Sequence, residues 1–101
     1  MNKEEREQLE RNIIGAILNM PKGLHEVRRA LKPEIFRTQF HRKVMQSIFA
    51  CLSADVEVNV VNIATLGKFN PQENVDLCGI PAGGGDLQLL AKTLTEAVIV
   101  E

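Results

Sequence analysis

The chain has 101 residues, 45% of them hydrophobic and 25% charged, with a formal net charge of −1 at pH 7. That is the size and make-up of one globular domain, expected to span 1–101 and large enough to build a core without disulfides or metals. No apolar run approaches the roughly 20 residues of a membrane-spanning helix, and the charged N-terminus MNKEEREQLER is unlike a secretory signal. The two cysteines, Cys51 and Cys78, fall outside any C-x-x-C pattern and read as buried thiols of a cytoplasmic protein.

The apolar spacing predicts a first helix over 4–19, with Leu9, Ile13, Ala16, Ile17 and Met20 as its stripe. Glu4, Glu5 and Glu7 suit the positive end of its dipole. Gly15, flanked by apolar residues, predicts close approach of a second helix. Met20-Pro21-Lys22-Gly23 breaks the run. Residues 24–31 form a short second helix with Leu24, Val27 and Leu31 inward, and Lys32-Pro33 stops it.

A turn at Pro33–Phe36 leads into the helix around which the domain is expected to be built, at about 39–53. Phe40, Val44, Met45, Ile48, Phe49 and Leu52 form its stripe, and Arg42, Lys43, Gln46 and Ser47 take the other faces. Three of the four Phe residues lie on or just before it. A fourth helix over 60–69 is capped by Asn59, with Val60, Ile63, Ala64 and Leu66 inward and Gly67 ending it. Residues 70–85 are the least regular stretch. A last helix spans 86–97 on Leu87, Leu90, Ala91, Leu94 and Val98, and 98–101 read as the start of a further segment. Strand signal is minimal. The expected fold is all-α, a compact orthogonal bundle of five to six short helices.

Charge is unevenly placed. Residues 22–43 carry seven Lys or Arg against two Glu, about +5, and residues 44–101 carry two Lys against seven acids, about −5. Such a dipolar chain can use different faces for partners of opposite charge.

Nothing in the chain argues for an active site. Gly83-Gly84-Gly85-Asp86 lacks the Lys and Ser/Thr of a phosphate loop. His25 and His41 have no metal-ligand spacing. Ser47, Ser53 and the cysteines have no neighbouring base, and no carboxylate stands in an apolar context. His41 is expected to be partly buried, its ring bonded to a nearby backbone group. The basic residues between Lys22 and Lys43 could touch phosphates, but Tyr and Trp are absent and the Phe residues are needed inside.

The order of short motifs resembles the N-terminal domain of DnaB-type hexameric replicative DNA helicases. ERNIIGAIL (Glu10–Leu18) is similar to the family's E-x-x-(V/I)-(L/I)-G-x-(L/I)-L. LKPEIF (Leu31–Phe36) followed by HRKVMQSI (His41–Ile48) is similar to its L-x-P-E-x-F and H-R-x-(I/V)-(F/M)-x-x-(I/M). VNVVNI (Val58–Ile63) and GGDLQLL (Gly84–Leu90) match two further segments in order. Gln88-Leu89 stands where the family has an aromatic, Arg11-Asn12 replaces its Gln-Ser, and the loop from Ile80 to Gly85 is altered. On this resemblance Gly15, Leu31, Pro33, Phe36, His41, Arg42, Gly84 and Gly85 are signature positions with structural roles.

The resemblance implies a scaffold and not a catalyst. ATP and Mg would belong to a motor domain outside these residues, with no cofactor in this stretch. The heads of such helicases form a collar, a trimer of dimers, that docks primase or a loader and shapes the path of single-stranded DNA, contacting it weakly or indirectly. Candidate partner contacts are Arg6 and Glu10 on the first helix and Arg42, Lys43 and Gln46 on the third, all expected to face away from the apolar stripes. Two other readings fit the same residues: a free-standing helical adaptor (a loader or the helicase-binding domain of a primase), and a small DNA-binding regulator using the Lys22–Lys43 patch.

Overall fold

Asn2 starts the first helix. Its side chain accepts the Glu5 amide at 2.8 Å, while the Glu5 carboxylate accepts the Asn2 amide at 3.1 Å. This reciprocal cap satisfies two of the amides that a helix start leaves open. A computed structural model describes residues 1–100, the backbone alone for Val100, and in it six α-helices follow in order: α1 (Lys3–Asn19), α2 (Leu24–Val27), α3 (Gln39–Ala54), α4 (Val60–Gly67), α5 (Pro71–Cys78) and α6 (Leu87–Val100). Short 3-10 turns at Pro21–Gly23 and Pro33–Ile35 precede α2 and α3. The described residues contain no strand, and the fold is the all-α bundle that the apolar periodicity predicts.

α3 lies most extensively against α4, and α1 against α6, with α2 also packed on α6. Ile13, Ile14 and Ile17 of α1 meet Val44, Met45 and Ile48 of α3 in one buried cluster, closed by Leu24, Leu31, Ile63, Leu77 and Leu94. Each such side chain contributes roughly 1.5–3 kcal/mol when fully buried. Phe36 is the largest side chain in it, fully buried although it lies before the helix and not on it. Phe40, Phe49 and Leu52 flank α3 and are only half-buried, packed against the cluster from outside. The centre of α3 therefore buries aliphatic residues, and the aromatic contribution comes from the turn that leads into it.

Several expectations are corrected. Ser47 is buried, because its hydroxyl donates to the Ile63 carbonyl and ties α3 to α4. Only Ile63 of the four inner residues expected on α4 is fully buried, with Ala64 half-buried and Val60 and Leu66 exposed. Gly67 is the last residue of α4 and does not turn the chain; Lys68 does, at φ 52°. Cys51 is buried, which pushes its thiol pKa up, whereas Cys78 is exposed. The supposedly irregular stretch holds α5, whose start is sealed by Asn70 accepting the Glu73 amide at 2.8 Å, with Pro71 in the first turn. α6 continues to Val100, so the segment expected to begin at 98 is still helix as far as it is described; Glu101 lies outside the described residues.

Gly15 does permit a close approach, but by a loop and not by a helix. A Cβ built there would fall on the Pro81 carbonyl oxygen, inside any distance real Cβ atoms adopt. The Gly83 amide donates to the Gly15 carbonyl at 3.2 Å. The loop between α5 and α6 is thus laid directly on the α1 backbone. Gly15→Ala is expected to destabilise the domain in urea denaturation, although Ala gains about 1 kcal/mol of helix propensity over Gly; a stabilised variant would show that the loop moves off α1 freely. Phe36→Ala should cost about 3–5 kcal/mol in the same measurement, and Phe49→Ala clearly less.

Candidate interaction site

Arg6 and Glu10 do not form a free face. Glu10 is 0% exposed and Arg6 only 3%. One turn apart on α1, they point to the junction where the Pro33–Ile35 turn meets α3. The Arg37 amide donates to Glu10 Oε2 at 2.7 Å and the Thr38 amide to Oε1 at 3.3 Å. His41 Nδ1 lies 2.9 Å from Oε1; an ionised carboxylate only accepts, so Nδ1 carries the proton. Arg6 Nε stands 3.5 Å from Oε2, and its guanidinium donates to the Ile35 carbonyl at 3.0 Å. Burial alone would raise the Glu10 pKa, but the bonds from His41, Arg37 and Thr38 outweigh it and hold the carboxyl below its ordinary value. Two expectations fall here: a carboxylate does sit in an apolar context, and the His41 ring bonds to that carboxylate and not to backbone.

Arg42, Lys43 and Gln46 do come together. With Phe40, Glu73 and Asp76 they line an open groove of about 640 Å³ between α3 and α5. Arg42 is exposed yet committed: Nε donates to the Phe36 carbonyl at 3.0 Å and a terminal nitrogen to the Glu34 carbonyl at 3.3 Å. It fastens the Pro33 turn to α3. Lys43 Nζ bonds both Glu73 oxygens at 2.8 Å and lies 5.1 Å above the Phe69 ring, which packs at a tilt against Phe40. Lys43, followed by the Asn70 amide, holds the Glu73 pKa below the ordinary value. Gln46 is exposed. The groove therefore offers a part-apolar floor between mixed charges, suited to gripping another protein surface. Among the described residues, no group of three or more His, Cys, Asp or Glu could hold a metal ion, and no helix is long and apolar enough to cross a membrane.

The family model for the DnaB-like helicase N terminal domain matches residues 2–79. The chain belongs to that family. The domain that defines the family is a non-catalytic part of a helicase. Comparison with curated proteins and with solved structures gave no match. Within the matched segment, four of the residues expected at signature positions form one constellation. Pro33 opens the turn, Phe36 drops from its end into the core, His41 holds Glu10, and Arg42 ties down the turn's carbonyls. Leu31 is buried beside them, and Gly15 makes room for the Pro81 loop. Gly84 and Gly85 lie beyond the matched residues, and a Cβ at Gly84 would meet nothing within 4 Å.

The Glu10 hub escaped the sequence reading, although a signal existed. Glu10, Ile14 and Ile17 are spaced i, i+4 and i+7, which sets the carboxylate in line with the apolar stripe. Glu10→Ala is expected to cost about 3–5 kcal/mol, since it leaves buried donors unpaired. Because the folded pKa is lowered, the stabilisation is present above the ordinary value of 4.5 and is lost as pH falls through the folded value. Urea denaturation of wild type and Glu10→Gln should therefore show a gap that is full at pH 7 and narrows as the pH falls below the ordinary value of 4.5. A gap independent of pH would rule out the ionised hub.

Proposed function

We propose that the domain is an interaction and self-association module of a replicative DNA helicase. In this reading it contributes to an N-terminal collar and docks primase, or a helicase loader, in the cytoplasm during DNA replication. The observation that carries the reading is the family match over 2–79, which includes the Glu10, Phe36, His41 and Arg42 constellation. The α3–α5 groove supports it by giving the scaffold one open, chemically mixed surface beside that constellation. Catalysis, with its ATP and Mg, would reside in a motor domain outside these residues.

Gln46 and Asp76 are the groove residues to vary, because both are exposed and neither holds the fold's backbone. Gln46→Lys and Asp76→Arg should leave melting nearly unchanged, within about 0.5 kcal/mol. Affinity for the cognate primase, read by calorimetric titration, should fall at least about tenfold, a loss of about 1.4 kcal/mol. Primase that binds both variants as tightly as wild type would remove the groove from docking. Primase that does not bind the wild-type chain at all would favour the free-standing adaptor, whose partner is then a different protein.

A further inference from the structure

An open groove of about 510 Å³ lies where the end of α1 meets the starts of α2 and α6. Its apolar part is Ala16, Leu87 and Met20; the first two are buried, whereas Met20 is 64% exposed. Glu26 and Asp86 line the same groove, and no Lys or Arg does. Each acid already holds the fold through one neutral partner. Glu26 accepts from the Gln88 side chain, and Asp86 Oδ1 accepts the Leu89 amide at 3.2 Å. Neither makes an ion pair among the described residues, so both carboxylates keep an uncompensated charge and spare acceptor positions. α1 has no basic residue in its last turn, which leaves the negative end of its dipole at the groove, beside Asn19. Gly84 adds open space. No described glycine has a positive φ, and a Cβ at Gly84 would meet nothing within 4 Å. Neither backbone conformation nor internal packing therefore calls for a glycine at that point.

We propose that this groove docks a basic, amphipathic segment of a partner protein, with a Lys or Arg side chain at Glu26 and Asp86 and an apolar neighbour against Met20 and Leu87. Charge selects the sign of the partner. Two uncompensated carboxylates beside a helix C-terminus attract a cation, and they repel an acidic segment or a phosphate chain. The apolar part separates a protein segment from a bare cation. Met20 carries a flexible, polarizable thioether that moulds itself to an incoming apolar side chain. An apolar centre within a polar rim is also the plan of a protein interface. The bare backbone at Gly84 lets the main chain of the partner come close. Lys22, next to Gly23 in sequence, does not line the groove, and neither do Arg28, Arg29 and Lys32. The α3–α5 groove carries both signs of charge and so takes a different chemistry. The two sites stand or fall separately.

The test is fluorescence anisotropy of a labelled peptide of roughly 12 residues, about three helical turns, with one Leu stripe flanked by Lys and Arg. The wild-type chain should bind it saturably, and should not bind the same peptide with Glu in place of Lys and Arg. Glu26→Gln combined with Asp86→Asn should weaken binding at least about fivefold at low salt. The thermal melt should not change, because Asn caps a helix as well as Asp does and Gln still reaches Gln88. Gly84→Leu, which fills the groove, should weaken binding as well, again with an unchanged melt. Gln46→Lys, on the α3–α5 groove, should leave peptide binding as it is. Absence of wild-type binding would overturn the proposal, as would equal binding of the Glu peptide. A double variant or a Gly84→Leu chain that binds like wild type would overturn it too, and so would a Gln46→Lys chain that loses the peptide. Dimerisation of the chain that the double variant abolishes, without peptide binding, would replace the partner protein by a second copy.

Discussion

The buried Glu10 carboxylate is the constraint on which the rest of the fold depends. Its two oxygens receive the amides of Arg37 and Thr38 and the ring of His41, while Arg6 stands beside it. A charge in that position is costly to desolvate, and only a full set of donors makes it tolerable. The donors come from α1, from the residues before α3 and from α3 itself. Forming the carboxylate's shell therefore fixes where α3 begins relative to α1. Phe36 can fill the core only when the chain immediately after it is held in this way, and Arg42 then closes the turn from the other side.

This arrangement gathers residues from distant parts of the chain. Glu10 and Gly15 belong to one helix but serve opposite contacts, Glu10 toward the Pro33 turn and α3, Gly15 toward the loop ahead of α6. Pro33, Phe36, His41 and Arg42 are spread over ten residues, yet they form one joint. A partner surface attached to α3 inherits the rigidity of that joint. The groove walls are likewise cross-linked, because Glu73 both caps α5 and bonds Lys43 of α3.

The all-α class and the aliphatic core were legible in the sequence because they rest on period, and α1, α3 and α6 have long, regular apolar stripes. The features that were not legible depend on partners distant in sequence. Glu10 looks like a surface residue until Arg37, Thr38 and His41 are brought to it. Ser47 looks solvated until the Ile63 carbonyl arrives. α5 was readable in principle: Asn70-Pro71-Gln72-Glu73 is a capping box with Pro in the first turn, a local signal hidden by the weak stripe behind it. On the groove, Arg42, Lys43 and Gln46 stand together because they share a face of α3. Arg6 and Glu10 are not legible as buried because the groups that enclose them, from Ile35 to His41, lie about 30 residues away in sequence.

The contact between Gly15 and the Pro81–Gly83 segment limits how the loop can vary. Pro81 and Gly83 are seated on the α1 backbone, so inserted residues there would lift the loop and carry the start of α6 with it. At Gly84 the surroundings are open, and a side chain meets nothing within 4 Å. Side chains of different size are accommodated at that point of the loop while the domain keeps its shape. The same point would accept a grafted peptide or a reporter dye with little disturbance to the helices on either side.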